Sequence, residues 1–225
     1  MIEVIIFDLD GLLIDSQPLQ YKTYNQVFSE YGYPISCEDW QLMVTQSYSI
    51  QRWIEEHKLP LDPESIRNQK KEIYDPLIRE ELQLKPGAKK TVELLSRKYQ
   101  LCIASSSRIE SIQASLEKFS LIDYFKVLMS DTTALRGKPF PDIFLKAASQ
   151  MKTMPNRCVV IEDAVGGLRA AKEAGMLCII CPDSYIGTPL EQYSDADLIV
   201  NSLEDISIET IEKLGIELLP GNISS

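Results

Sequence analysis

The first apolar run, Val4-Ile5-Ile6-Phe7, is short, unbroken by polar residues, and followed at once by Asp8-Leu9-Asp10. Such a run predicts a strand buried on both faces rather than an alternating, half-exposed one. From about Pro18 to Arg79 the pattern changes to helical spacing. Leu19, Tyr24, Val27, Phe28 and Tyr31 fall on one stripe that Gly32 ends, and Trp40, Met43, Ile50, Trp53 and Ile54 predict further helices. The loop Leu59-Pro60-Leu61-Asp62-Pro63-Glu64 starts another. No strand pattern interrupts this stretch, which reads as an all-helical insert of roughly 60 residues.

From Pro86-Gly87 onward helices and strands alternate. AKKTVELLSRKY, IESIQASLEKF, DIFLKAASQM, GGLRAAKEAG and IETIEKLG read as helices, and LCIAS, KVLMSD, CVVIED, LCIIC and DLIVNS as strands. Short apolar strands that alternate with helices mark a parallel sheet covered on both faces. The expected fold is therefore a doubly wound α/β core, residues 1–15 and 83–225, interrupted after its first strand by a helical cap, residues 16–82. The polar tail after Pro220 reads as disordered.

Composition narrows the partners. The 225 residues carry a net charge of -10, with 44% hydrophobic and 25% charged residues. That balance suits an ordinary soluble globular protein and argues against nucleic acid, whose backbone demands a concentrated positive face. No apolar run reaches the roughly 18 residues that cross a bilayer, and no basic segment followed by a long apolar stretch marks a signal peptide. A cytoplasmic protein without a membrane partner, monomeric or weakly dimeric, is expected. Five cysteines, an odd number, do not suggest a disulfide framework. Cys178 and Cys181 form a CxxC, but within a buried strand that offers no helix N-terminus to activate a thiol. The single histidine, His57, reads as a helix C-terminal residue, since no second histidine exists to share a metal.

In an open parallel sheet, ligands bind beyond the carboxyl ends of the strands. VIIF is followed there by Asp8-Leu9-Asp10, LCIA by Ser105-Ser106-Ser107, VVI by Glu162-Asp163, and VLMSD, a few residues later, by Gly137-Lys138-Pro139. Each has an ordinary explanation on its own: serines cap turns and helices, a lone lysine is solvated, and acids favour a helix N-terminus. Gly166-Gly167 reads as packing or turn geometry, because its spacing lacks a P-loop lysine. The convergence of four strand ends is the stronger signal. Carboxylates crowded at one edge take up protons unless a hard divalent cation neutralises them. Mg²⁺ suits, since it accepts one or two carboxylates and keeps water and phosphate oxygens as its other ligands. Residues two apart on a strand face the same way, so Asp8 and Asp10 can address one substrate. An aspartate so placed can attack phosphorus, and a second acid can protonate the leaving oxygen and later take a proton from water.

Taken together and in this order, DLDGLLIDS, IASSS, GKPFPDIF and VVIEDAVGGLRAAKEAG resemble the four motifs of the haloacid dehalogenase superfamily, from Ile5 to about Asp183. The likeness is to its phosphatase branch with a helical cap inserted after the first motif. The resemblance implies that Asp8 is the nucleophile, Asp10 the general acid/base, Ser105 the phosphate-binding hydroxyl with Ser106 beside it on the substrate, and Lys138 the tether of phosphate and nucleophile. It implies Mg²⁺ held by Asp8, Asp163 and the backbone carbonyl of Asp10, with Glu162 as ligand or one step removed. Asp15 and Ser16 read as the start of the cap.

The activity so implied is hydrolysis of a small phosphorylated metabolite, a sugar phosphate or nucleotide monophosphate, through an aspartyl phosphate. The β-phosphoglucomutases are similar, but carry a histidine where this chain reads Pro18-Leu19-Gln20 and a cap arginine where it reads Thr45-Gln46-Ser47, with Arg52 further on. His57 stands too far along to replace that histidine. The wording of GLLIDS, ASSSR, GKPFPDIFL and EAGM is closer to the pseudouridine-5'-phosphatase and 2-deoxyglucose-6-phosphatase type. A mutase and a non-catalytic phospho-ligand-binding module are the alternatives. Specificity is expected from cap residues such as Gln20, Gln46, Tyr48 and Trp53.

Overall fold

The sheet consists of β1 (Val4–Phe7), β2 (Gln100–Ser105), β3 (Phe125–Ser130), β4 (Cys158–Glu162), β5 (Leu177–Ile180) and β6 (Leu198–Ile199). In the computed structural model, which describes residues 1–46, 48–130 and 136–217, these strands pair in parallel in the order β3-β2-β1-β4-β5-β6. Ser47, Asp131 and the tail after Pro220 lie outside the described residues. The helices are α1 (Gln17–Glu30), α2 (Cys37–Thr45), α3 (Ile50–Glu56), α4 (Pro63–Glu80), α5 (Ala88–Leu95), α6 (Ile109–Lys118), α7 (Asp142–Gln150), α8 (Val165–Glu173) and α9 (Ile208–Glu217).

The unbroken apolar run of β1 has a simple cause. Odd and even positions serve two separate cores, one on each face of the sheet. Ile5 and Phe7 join Leu101, Ile103, Val159 and Ile161, with Val92, Leu116 and Ile211 of α5, α6 and α9 packed over them. Val4 and Ile6 join Cys102, Ala104, Val160 and Cys178, covered by Phe144 and Ala147 of α7 and Leu168 and Ala171 of α8. Burying a side chain of this size stabilises by about 1.5–3 kcal/mol, so a polar residue at any of these positions would lose one core or the other.

The chain leaves the core through a tight loop. Gly11, at φ +88°, donates its N–H to the Ile14 carbonyl at 2.9 Å, a left-handed turn that favours glycine. Ile14 then bridges Leu84 in antiparallel fashion, and the Asp15 N–H reaches the Gln83 carbonyl at 2.9 Å. Entry to and exit from the helical insert are therefore side by side.

Helices α1–α4 enclose an apolar cluster of their own around Val27, Phe28, Trp40, Met43, Trp53 and Ile66. Ser36, Ser49 and Asp62 cap α2, α3 and α4 by accepting from the backbone N–H groups of Asp39, Arg52 and Ser65. His57 closes α3, its Nδ1 3.0 Å from the Trp53 carbonyl oxygen, as a helix C-terminal histidine should. The loop 182–188, after β5, reaches across to the insert. Ile186 enters the insert's apolar cluster, Gln41 donates to the Tyr185 carbonyl at 2.6 Å, and the Thr45 and Thr188 hydroxyls lie 3.0 Å apart. The five cysteines are free, with Cys178 buried in β5 and its thiol pushed well up by that burial. No helix among the described residues is long and apolar enough to cross a membrane.

Candidate active site

Asp8 continues the pairing of β1 by one residue, donating its N–H to the Ile161 carbonyl at 2.9 Å, and its carboxylate emerges at the sheet edge only 8% exposed. Lys138 meets it there. Its Nζ lies 2.6 Å from Asp8 Oδ1 and 3.1 Å from the Ala104 carbonyl, and also touches Glu162 Oε1. Glu162 has both oxygens engaged, because Oε2 accepts from the N–H groups of Asp163 (2.9 Å) and Ala164 (3.0 Å). Gly167 makes this arrangement possible. A Cβ at that position would lie 1.8 Å from Glu162 Oε1, so Gly167 serves packing.

Burial dominates the electrostatics. It pushes the Asp8 carboxyl up to about 8 against the pull of Lys138. Asp163, 4% exposed, is raised well above the usual carboxylate range by burial and then by its acidic neighbours Glu162, Asp8 and Asp183. Lys138 is pulled down by burial, but Asp8 and Glu162 together outweigh this and hold its ammonium well above the ordinary lysine value.

Asp10 stands on the same side of the chain, while Leu9 between them is buried in the core. Four side chains donate to its carboxylate. Ser16 Oγ (2.7 Å) and Gln20 Nε2 (3.3 Å) reach Oδ1; Ser105 Oγ (3.1 Å) and Ser107 Oγ (2.7 Å) reach Oδ2. Ser16 is the residue that precedes α1, yet its hydroxyl makes no cap bond to the helix; it is turned to Asp10 instead. Asp8, Asp10, Lys138 and Asp163 open into a cleft of about 990 Å³ whose opposite wall includes Trp40, Tyr48 and Arg67 of the insert. A smaller cavity of about 290 Å³ shares Asp10 and adds Lys70, Tyr74 and Ser107.

Residues 5–181 match the profile of the haloacid dehalogenase-like hydrolases. The chain belongs to that family. It is 33% identical over 214 residues, 91% of either chain, to a probable pseudouridine-5'-phosphatase of Drosophila melanogaster. It is 27% identical over 221 residues, 94% of either chain, to a β-phosphoglucomutase of Bacillus subtilis. The crystal structure of CbbY from Rhodobacter sphaeroides in complex with phosphate superposes with a TM-score of 0.84 at 28% identity, covering 94% of this chain and all of the other. The chain is an enzyme of the phosphoric monoester hydrolase class.

Of the residues that the family motifs single out, Asp8, Asp10, Ser105, Lys138, Glu162 and Asp163 stand at one edge, and Ser106 and Gln20 line the cavities beside Asp10. Gln46 and Trp53 stand apart from both cavities. Gln46 is exposed and lines neither cavity; it closes the last turn of α2 with its N–H on the Leu42 carbonyl. Trp53 is buried in the insert's own core with its ring 3.7 Å from that of His57. Tyr48 does face the cleft; Arg52, stacked 3.7 Å over the Tyr48 ring and bound to Glu56 at 2.8 Å, does not line it. Ser16, Ser107 and Asp183 were not anticipated as site residues.

The donor set suits a divalent metal. Asp8, Glu162 and Asp163 each have an oxygen within 4.8 Å of the others, hard donors of the kind that small divalent cations take; those of Glu162 are engaged by Lys138 and the backbone, so Asp8 and Asp163 are the ones placed to bind. Asp183 Oδ2, buried nearby, has no hydrogen-bond partner, which is the mark of an acidic pocket short of positive charge.

Proposed function

We propose that this hydrolase is a Mg²⁺-dependent phosphatase that cleaves a small phosphorylated metabolite, a sugar phosphate or nucleotide monophosphate, through an aspartyl phosphate on Asp8. Residues 1–15 and 83–225 carry the chemistry, and residues 16–82 act as the cap. The observation that carries this reading is the Asp8 carboxylate, braced at 2.6 Å by Lys138 at the mouth of the cleft with Asp10 two residues away.

Asp8 attacks phosphorus as the bond to the leaving oxygen breaks, and Asp10 gives that oxygen a proton. Asp10, now ionised, takes a proton from the water that attacks the aspartyl phosphate, which frees phosphate and restores Asp8. Lys138 neutralises the transferred group while holding Asp8 in line. The Ser105 hydroxyl turns from Asp10 to a phosphate oxygen. Asp8, Asp163 and the backbone carbonyl of Asp10 would hold Mg²⁺, which would supply positive charge to the site. Glu162, with both oxygens occupied, orients Lys138 and the start of the following turn. Closure of the cap over the cleft excludes bulk water.

The cap wall supports a polar, hydroxyl-bearing substrate. Gln17 Oε1 and Trp40 Nε1 are buried without hydrogen-bond partners and both residues line the cleft, so an acceptor and a donor await a ligand. Arg67, Lys70, Lys71 and Arg108 add positive charge around them. Gln20, 3.3 Å from Asp10, is a non-titrating amide in the stretch Pro18-Leu19-Gln20, around which the mutases carry a histidine, and this favours hydrolysis over phosphoryl return.

The test is phosphate release by the purified protein with Mg²⁺ from a panel of sugar phosphates and nucleotides. Release from at least one compound is expected, and failure on all would overturn the proposal. Conversion of glucose 1-phosphate to glucose 6-phosphate without free phosphate would reassign the enzyme as a mutase. A ligand bound but intact over hours with Mg²⁺ present would mark a binding module.

A further inference from the structure

Asp183 lies just beyond the carboxyl end of β5, on the edge that carries Asp8 and Asp163, and no step above uses it. Its side chain is 1% exposed, and its two oxygens have different fates. Oδ1 accepts from the Tyr185 N–H at 2.7 Å and lies 3.5 Å from Lys85 Nζ. Oδ2 is buried and has no hydrogen-bond partner. A carboxylate oxygen withdrawn from water without a partner is costly, and its direction explains why it is kept. A Cβ on Gly11 would meet Asp163 Oδ2 at 2.2 Å and Asp183 Oδ2 at 2.9 Å. Both oxygens therefore approach one point beside the Gly11 backbone, an approach that a side chain at residue 11 would block.

We infer that Asp183 is a positioning residue of the metal centre: its Oδ2 accepts a hydrogen bond from a water bound to the cation that Asp8 and Asp163 hold. The inference rests on the Mg²⁺ reading given above. Mg²⁺ dehydrates reluctantly and keeps several waters, whose protons need acceptors, and such outer partners contribute strongly to metal affinity. Lys85 moderates the charge of the same carboxylate from its opposite side. Oδ1 meanwhile holds the loop 182–188 that reaches the cap, so one side chain touches both the metal pocket and the segment that docks on the insert.

The test is calorimetric titration of Mg²⁺ into the full chain, for the wild type, Asp183→Asn and Lys85→Met. Asp183→Asn keeps the shape and an oxygen for the Tyr185 N–H but removes the charge, and Mg²⁺ affinity is expected to fall about 10- to 100-fold. Lys85→Met removes the competing cation and is expected to move affinity the other way, tightening it by at least about threefold. A merely structural Asp183 would lower the unfolding temperature and leave Mg²⁺ affinity unmoved. Equal affinity in the wild type and Asp183→Asn overturns the inference and leaves the phosphatase reading standing. Should Asp183→Asn fail to fold, Lys85→Met decides alone, and unchanged or weaker binding there overturns it. A wild type that binds no Mg²⁺ overturns both readings.

Discussion

Lys138 Nζ lies 2.6 Å from Asp8 Oδ1, and each side chain is only 8% exposed. The same ammonium also touches Glu162, so one cation answers two buried carboxylates. Removing it in Lys138→Met leaves both without a counter-charge, which costs about 3–5 kcal/mol, and phosphatase turnover is lost with it. Urea unfolding of the metal-free protein should register the loss, and its pH dependence follows from Asp8. The folded state disfavours ionised Asp8, whose carboxyl is raised to about 8 mainly by burial. Its penalty is absent below the ordinary carboxylate range and grows as pH rises toward 8, so the variant should recover part of its stability in acid.

Asp8→Asn keeps the volume of the side chain and removes the attacking oxygen's charge. Turnover should fall by at least about a thousandfold, while inorganic phosphate still binds in the cleft by calorimetry. Retained turnover would move the nucleophile elsewhere.

Gly167 is the residue against which Glu162 is packed. Gly167→Ala forces a methyl group into the space of a carboxylate that has backbone N–H groups on one side and Lys138 on the other. Overpacking of this kind costs about 1–3 kcal/mol. Because the displaced group orients Lys138, kcat should fall at least about tenfold, whereas the same substitution at Gly32, where a Cβ meets nothing within 4 Å, should leave kcat alone.

Lys70 sits against the rings of Tyr74 and Tyr24, 3.5 and 5.3 Å from their centres, and burial lowers its pKa to about 8 although Asp10 pulls the other way. It is charged below that pH and neutral above. An anionic substrate that uses this charge should show a KM that is lowest below pH 8 and rises as pH passes through it. Lys70→Gln should show the higher KM throughout, without that inflection.

Ile186 joins the loop after β5 to the apolar cluster of the insert, 6% exposed. Ile186→Ala should loosen that contact, raising KM about tenfold and costing about 2–4 kcal/mol of stability. Fluorescence of Trp40, in the same cluster, should shift to the red as water gains access.

The sheet and the edge where the acids gather were legible because β1, β2 and β4 are short apolar runs, each followed at once by polar groups that the core cannot use. β1 shows this most plainly, since both of its faces are buried and Asp8 is the first residue free of them. Asp183 lies beyond the same edge, but Cys181 and Pro182 separate it from the apolar run, and its approach to Asp163 beside Gly11 is a fact of the fold in space. Ser16 and Ser107 escaped for another reason: hydroxyls before a helix or in a serine run have local uses, and their choice of Asp10 is a tertiary fact. The insert was legible as helices and not as faces. Trp53 and Tyr48 are five residues apart and equally aromatic, yet one fills the insert and the other lines the cleft. Lys70, in the charged stretch NQKKEIYD, carries no local signal of the rings of Tyr24 and Tyr74 that lie beside it.

The placement of β1 at the middle of the sheet also sets an order of assembly during synthesis. Val4–Phe7 leaves the ribosome well before its partners β2 and β4, which begin only at Gln100 and Cys158. At roughly 5–20 residues per second, β1 waits roughly 8–30 seconds for its second neighbour. During that interval the four helices of the insert emerge whole. The helical wall of the cleft is thus available before the sheet edge opposite it exists, and Asp8 is among the last residues to acquire its surroundings.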